Sequence, residues 1–167
     1  MQYNKVNFDK TQKSASVSAL VNIECATIAN TNLLVVFNLT SNLLKMFADK
    51  ELKAFVPTIK PGKAKSFYKD VLGLKLLSED NYALEFNANG TLLRVIIVQE
   101  LRPHPFTILG WSVDNILSTI KSLNDKNIFC EKYDFLEQDE LGIWTAPGGA
   151  KVAWFKDPDG NVLSLTE

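Results

Sequence analysis

Lys151-Val-Ala-Trp154-Phe155-Lys156-Asp157-Pro158-Asp159-Gly160-Asn161-Val162-Leu163-Ser164-Leu165, close to the end of the chain, sets two apolar, strand-like runs on either side of a four-residue turn. Pro158 presets one turn dihedral, Gly160 accepts a positive φ, and the two Asp side chains can accept hydrogen bonds from nearby backbone amides. The stretch reads as a β-hairpin.

Working outward, residues 106–113 read as a strand, Asp114 as a helix N-cap, and Ile116, Leu117, Ile120 and Leu123 as one apolar helical stripe. Residues 128–135 read as a further strand. Residues 137–149 read as a long loop, and with Ile143 and Trp144 inside it the loop suits a lid over a pocket. The same plan occurs earlier. Residues 54–59 read as a strand and Pro61 suits the first turn of a helix. Ala64, Phe67, Tyr68, Val71 and Leu72 make its apolar stripe, and Gly73 ends it. Strands over 74–77, 82–86 and 92–98 follow, the last two joined by a turn at 87–90. Strand-helix-strand-strand-strand therefore occurs twice, over residues 53–100 and 106–167, with Pro103 and Pro105 in a short linker between.

Residues 1–52 fall outside this plan and form an extension of uncertain structure, rich in Asn, Ser, Thr and Ala. Two readings stay open there: a helix over 40–52 carrying Leu43, Leu44, Phe47 and Leu52, or a domain that starts near Met46 behind an extension. The whole chain of 167 residues is 46% hydrophobic and 22% charged, a globular composition. Its 18 Lys plus Arg against 19 Asp plus Glu leave no basic field for nucleic acid. The apolar run from Leu33 to Phe37 is far shorter than the roughly 20 residues of a membrane span, so no membrane partner is expected. No basic segment leads into an apolar stretch as in a secretory signal, and Asn38-Leu39-Thr40 reads as a chance sequon. Cys25 and Cys130 lie far apart and read as reduced thiols of a cytoplasmic protein.

Three stretches in order carry a resemblance: Lys63-Ala-Lys-Ser-Phe67-Tyr68-Lys-Asp-Val-Leu72-Gly73-Leu74, Ser112-Val113-Asp114-Asn115, and the closing hairpin. Together they resemble the vicinal oxygen chelate superfamily of glyoxalase I, bleomycin-resistance proteins and extradiol dioxygenases. Cys130 to Gly142 is similar to a subgroup of short bacterial members without a settled activity. The resemblance covers residues 53–167. It implies an α+β fold: paired βαβββ modules form a curved, cup-like mixed sheet, with helices on the convex side and a cavity on the concave side. It also implies a homodimer.

Members that do metal chemistry hold one divalent ion in the cavity through His, Glu or Gln, leaving sites open for vicinal oxygens of the substrate. By family spacing these positions fall here on Lys53, on Ile108, on Ser164 and within strand residues 91–98, a run without His, Asp, Glu or Cys. The chain has one histidine, His104, in the linker, where an exposed, non-functional role is the simpler reading. The resemblance thus implies a family shell without the family's metal, and no cofactor is expected.

Strand alternation allows Glu85, Arg94, Glu131, Tyr133 and Glu140 to face a cavity or the solvent, and charged residues are ordinarily solvated. Glu131 and Tyr133 are the candidates for acid/base chemistry. Aromatic walls suit planar or apolar ligands, although an aromatic residue is more often plain core. The candidate ligand-binding set is Tyr82, Phe86, Arg94, Ile108, Tyr133, Trp144, Trp154 and Ser164. Trp111, offset by three from Ile108, should face the helices. The expected function is metal-independent binding of a small aromatic or apolar molecule. The alternatives are a lyase or oxidoreductase with an atypical metal site or acid/base pair, and an interaction domain whose cavity its own side chains fill.

Overall fold

The computed structural model describes residues 46–167, and Glu51–Glu167 forms one compact unit. The helix expected over 40–52 lies largely outside the described residues. Within them, Met46 to Asp49 make a single turn closed by Lys50 N donating to Phe47 O at 3.1 Å.

The first module begins with β1 (Lys53–Thr58). Helix α1 (Pro61–Ser66) follows, with Pro61 in its first turn, and runs into a π-helical turn over Phe67–Val71. Leu72 N reaches back five residues to Phe67 O at 2.9 Å, and Gly73, at φ +74°, ends the helix. The wider turn lets the neighbours Phe67 and Tyr68 both point inward, their rings edge-on at 5.2 Å. Strands β2 (Lys75–Glu79), β3 (Ala83–Ala88) and β4 (Thr91–Ile97) complete the module. The turn between β3 and β4 uses Asn89 and Gly90 at positive φ, as a two-residue hairpin requires.

The second module repeats the order: β5 (Thr107–Ser112), α2 (Ile116–Asn124), β6 (Trp144–Thr145), β7 (Lys151–Lys156) and β8 (Val162–Thr166). The cap of α2 is Asn115, one residue later than expected, whose Oδ1 accepts from Ser118 N at 2.8 Å. Each module makes a four-stranded mixed sheet, in the orders β1-β4-β3-β2 and β5-β8-β7-β6. The first strand of each module runs parallel to its last, and the other pairs are antiparallel. The repeat read from the sequence is a structural repeat, and the fold is α+β. No helix among the described residues is long and apolar enough to cross a membrane.

Residues 128–135 do not form the expected strand. Glu131 N donates to Trp154 O at 2.7 Å, and the outer edge of β7 then pairs with Trp144–Thr145 instead. The chain between is a braced loop, described below.

One apolar core joins the modules. Val56, Leu84, Phe86, Leu93 and Val95 enter it from the first sheet, and Ala153, Phe155, Leu163 and Leu165 from the second. Phe67 and Tyr68 meet Ile116, Ile120 and Leu123 from the helical side. A polar clasp adds to the join. The hairpin turn between β7 and β8 folds around Asp157, whose Oδ1 accepts from Asp159 N and Asn161 N. Asp157 Oδ2 accepts from Tyr68 Oη at 3.0 Å, and Asn161 Nδ2 donates to Pro57 O at 2.9 Å. Thr58 Oγ1 donates to Asp159 Oδ2 at 2.5 Å.

Candidate functional site

With the odd-numbered residues Ala153, Phe155, Leu163 and Leu165 in the core, alternation turns Trp154 and Ser164 to the other face of the second sheet. They are cross-strand partners, and Ser164 in turn pairs with Gly110 of β5. Trp154 Nε1 donates to Thr107 Oγ1 at 3.0 Å. Its ring meets Tyr133 edge-on at 5.7 Å and Trp144 at 6.3 Å, and Tyr133 meets Phe135 at 5.5 Å.

This aromatic group borders two adjoining clefts. One, of about 350 Å³, is lined by Pro103, His104, Pro105, Tyr133, Lys156 and Val162, with Gly160 at its end. The other, of about 260 Å³, adds Phe106, Thr107, Phe135, Leu136 and Trp154 and shares Pro105, Tyr133 and Val162 with the first. Its wall therefore comes partly from the segment that reads as a linker. Pro103 rests on the hairpin turn: a Cβ at Gly160 would lie 3.4 Å from Pro103 Cγ. His104 stacks on Phe106 at 5.1 Å.

The far wall is held by Gln138. Its Oε1 accepts from Tyr133 N at 2.7 Å, and its Nε2 donates to Glu131 O at 3.1 Å and Gly142 O at 2.6 Å. Asp139 Oδ1 accepts from Leu141 N and Ile143 N, and Ile143 is buried. The side-chain amide and carboxylate take over the bonding that a sheet partner would supply. The expected lid is thus a braced wall with one end in the core.

Lys156 Nζ pairs with Glu131 Oε2 at the mouth of the cleft, at 2.5 Å. That hydrogen bond raises the Lys156 pKa above its ordinary value. Partial burial, then the Glu131 charge, raises the Tyr133 phenol, so it stays protonated and able to donate. Cys130 is pushed up to about 11 by burial, with Asp139 and Glu131 adding to it, so it is a thiol at neutral pH. Cys25 lies outside the described residues.

The structure brings together Tyr133, Trp144, Trp154 and Ser164, with Glu131 beside them. It keeps others apart. Phe86 is fully buried against Tyr68, because its strand position faces the helices. Ile108 sits at a register shift in β5 and packs against the core. Trp111 packs on the core as well, in a separate cleft beside Leu123 and Phe155. Tyr82 is 76% exposed just before β3, and Arg94 pairs with Glu85 on the first sheet. Glu140 is exposed in the loop. Sequence reasoning missed Phe106, Thr107 and Lys156. Phe106 beside two prolines was the usable signal, since proline stiffens the chain into a fixed, extended wall.

The donors at the family's metal positions do not suit a divalent cation. Lys53 is an exposed ammonium, Ile108 is apolar, and Ser164 offers one hydroxyl beside Gly110. The outward residue near the middle of β4 is Arg94. Among the described residues no three His, Cys, Asp or Glu side chains gather as metal ligands.

The fold is that of several solved proteins. Lactoylglutathione lyase from Agrobacterium tumefaciens is 16% identical over 71% of this chain and 93% of its own, with a TM-score of 0.55. A putative glyoxalase family protein from Bacillus anthracis is 13% identical over 71% and 94%, at 0.56. The glyoxalase family protein from Enterococcus faecalis is 24% identical over 73% and 100%, at 0.53. No curated protein matches the chain. The family model of the glyoxalase/bleomycin resistance protein/dioxygenase superfamily matches residues 53–165. Doubled βαβββ sheets, the Asp157 hairpin and that match agree, and the chain belongs to this superfamily.

Proposed function

We propose that the protein binds a small aromatic or apolar molecule in the cleft of the second module, without a metal ion and without turning it over. The observation that carries this reading is the wall of Phe106, Tyr133, Phe135 and Trp154 around a preformed cleft. Such walls suit flat ligands, and Tyr133 Oη and the Lys156 ammonium supply polar anchors at the mouth. The unsuited donors at Lys53, Ile108 and Ser164 support metal independence. The pairing of Glu131 with Lys156 speaks against Glu131 as a free general base. A cytoplasmic homodimer is part of the proposal, and sedimentation of the purified protein tests the assembly.

The direct test combines elemental analysis with a thermal-shift and Trp-fluorescence screen of neutral aromatic compounds, before and after chelation. Binding is expected to survive chelation and to weaken at least about tenfold in Trp154→Ala and Tyr133→Ala. Stoichiometric metal whose removal abolishes binding overturns the reading, and so does a screen in which no compound binds.

A further inference from the structure

The outward face of the first sheet carries a different chemistry from the aromatic cleft. In the strand register Phe55, Arg94, Glu85 and Ser78 form one row across β1, β4, β3 and β2. The next row is Lys53, Leu92, Asn87 and Lys75. Their neighbours Val56, Leu93, Leu84 and Phe86 are in the core, so both rows face away from it. Within these rows Lys53, Lys75 and Arg94 stand against the carboxylate of Glu85, which leaves the face cationic.

Arg94 is held in place but under-satisfied. Its Nε lies 3.1 Å from Glu85 Oε1, and Glu85 Oε2 accepts from Ser78 Oγ at 2.7 Å. The ion pair lacks hydrogen-bond alignment, so Nε is buried without an aligned acceptor. Among the described residues nothing is hydrogen-bonded to the Arg94 side chain. Nε is committed to Glu85, so an incoming acceptor meets the terminal nitrogens. The guanidinium side chain is only 33% exposed, while Phe55 beside it is 53% exposed and offers an apolar contact. With Glu85 beside Nε, the two terminal nitrogens present the paired N–H edge that fits a carboxylate.

Arg94 is also the first-module counterpart of Ser164. Each follows its turn glycine, Gly90 or Gly160, by four residues, and each sits on the strand that runs parallel to the first strand of its module. We propose that this face is a binding site for a small carboxylate with an apolar body, gripped by Arg94 on a Phe55 and Leu92 floor. The site is separate from the aromatic cleft.

NMR titration of the full chain with benzoate and with benzamide, which has the same outline without the charge, tests it. Benzoate is expected to bind at least about tenfold more tightly than benzamide, and Arg94→Gln to erase that difference. Arg94→Lys should keep part of the preference, and Glu85→Gln should tighten benzoate by removing the competing carboxylate. In the same spectra the amides of Phe55 and Arg94 report this site and those of Tyr133 and Trp154 report the cleft, so the affinities compared are those read at Phe55 and Arg94. Equal affinity for the two probes, no benzoate binding, or undiminished benzoate binding in both Arg94 variants overturns the proposal. Weak binding of neutral aromatics in the wild type counts against the cleft and leaves this site standing. An unchanged circular dichroism spectrum shows that each variant folds, and if Arg94→Gln does not, Arg94→Lys decides.

Discussion

Asp157 is 5% exposed and accepts from Tyr68 Oη, Asn161 Nδ2 and the backbone amides of Asp159 and Asn161. Its removal strands four donors, three of them from the turn itself. Asp157→Ala is therefore expected to lose about 3 kcal/mol or more in urea unfolding, and Tyr68→Phe about 1–2 kcal/mol. Equal losses in the two variants would mean that the turn bonds contribute nothing of their own. Burial and then the Asp157 charge raise the Tyr68 phenol far above its ordinary range, so it remains a donor throughout. The turn half of this network was legible, because Asp-Pro-Asp-Gly has known turn chemistry. The Tyr68 half was not, since its partner lies 89 residues away and nothing local names it. Cys130 gives a second residue-scale prediction. In a Cys25→Ser background its alkylation at pH 8 should be slow and should accelerate toward about pH 11. Rapid alkylation at pH 8 in the folded protein would contradict the burial of the thiol.

Among the elements, the segment after α2 is where alternation misled. Cys130, Tyr133 and Phe135 read as strand residues, yet a single bond to β7 is all that forms before the chain turns away. Gln138 supplies the missing partner, and a side chain bonding three backbone groups leaves no periodic trace in a sequence. Gln138→Ala should remove the hydrogen-exchange protection of the Tyr133 amide and weaken aromatic binding together. Loss of one without the other would separate the brace from the cleft. The β2–β3 connection is braced by Asp80, whose Oδ1 accepts from Tyr82 N and Ala83 N at 2.7 and 2.8 Å. These bonds to the ionised form hold its carboxyl below the usual carboxylate value. A depressed folded-state pKa stabilises above the unfolded value, near 3.9, and that contribution fades as pH falls through the folded value. Asp80→Asn should accordingly flatten the loss of stability below about pH 4. An unchanged acid limb of the stability curve would refute this.

Across the whole molecule, one core is fed by both sheets and both helices. Trp111, Trp144 and Trp154 all lie in the second module, whereas far-ultraviolet dichroism sees both. The two signals are expected to trace the same urea transition, and two separated midpoints would mean that the modules unfold independently. The doubled architecture was legible because two apolar helical stripes sit between alternating runs in the same order. The cleft was less so: its wall joins a proline segment, a side-chain-braced loop and the outward face of a hairpin, and only the last has a readable period. Gly110 and Ser164 carry one more implication. A methyl group at position 110 would stand 2.5 Å from Ser164 Oγ. A larger residue at 110 therefore requires the Ser164 hydroxyl to turn away or to give way to a smaller side chain. The bare backbone at Gly110 is what gives the Ser164 hydroxyl its room, so the order of change matters: position 164 must shrink or re-aim its side chain before position 110 can grow.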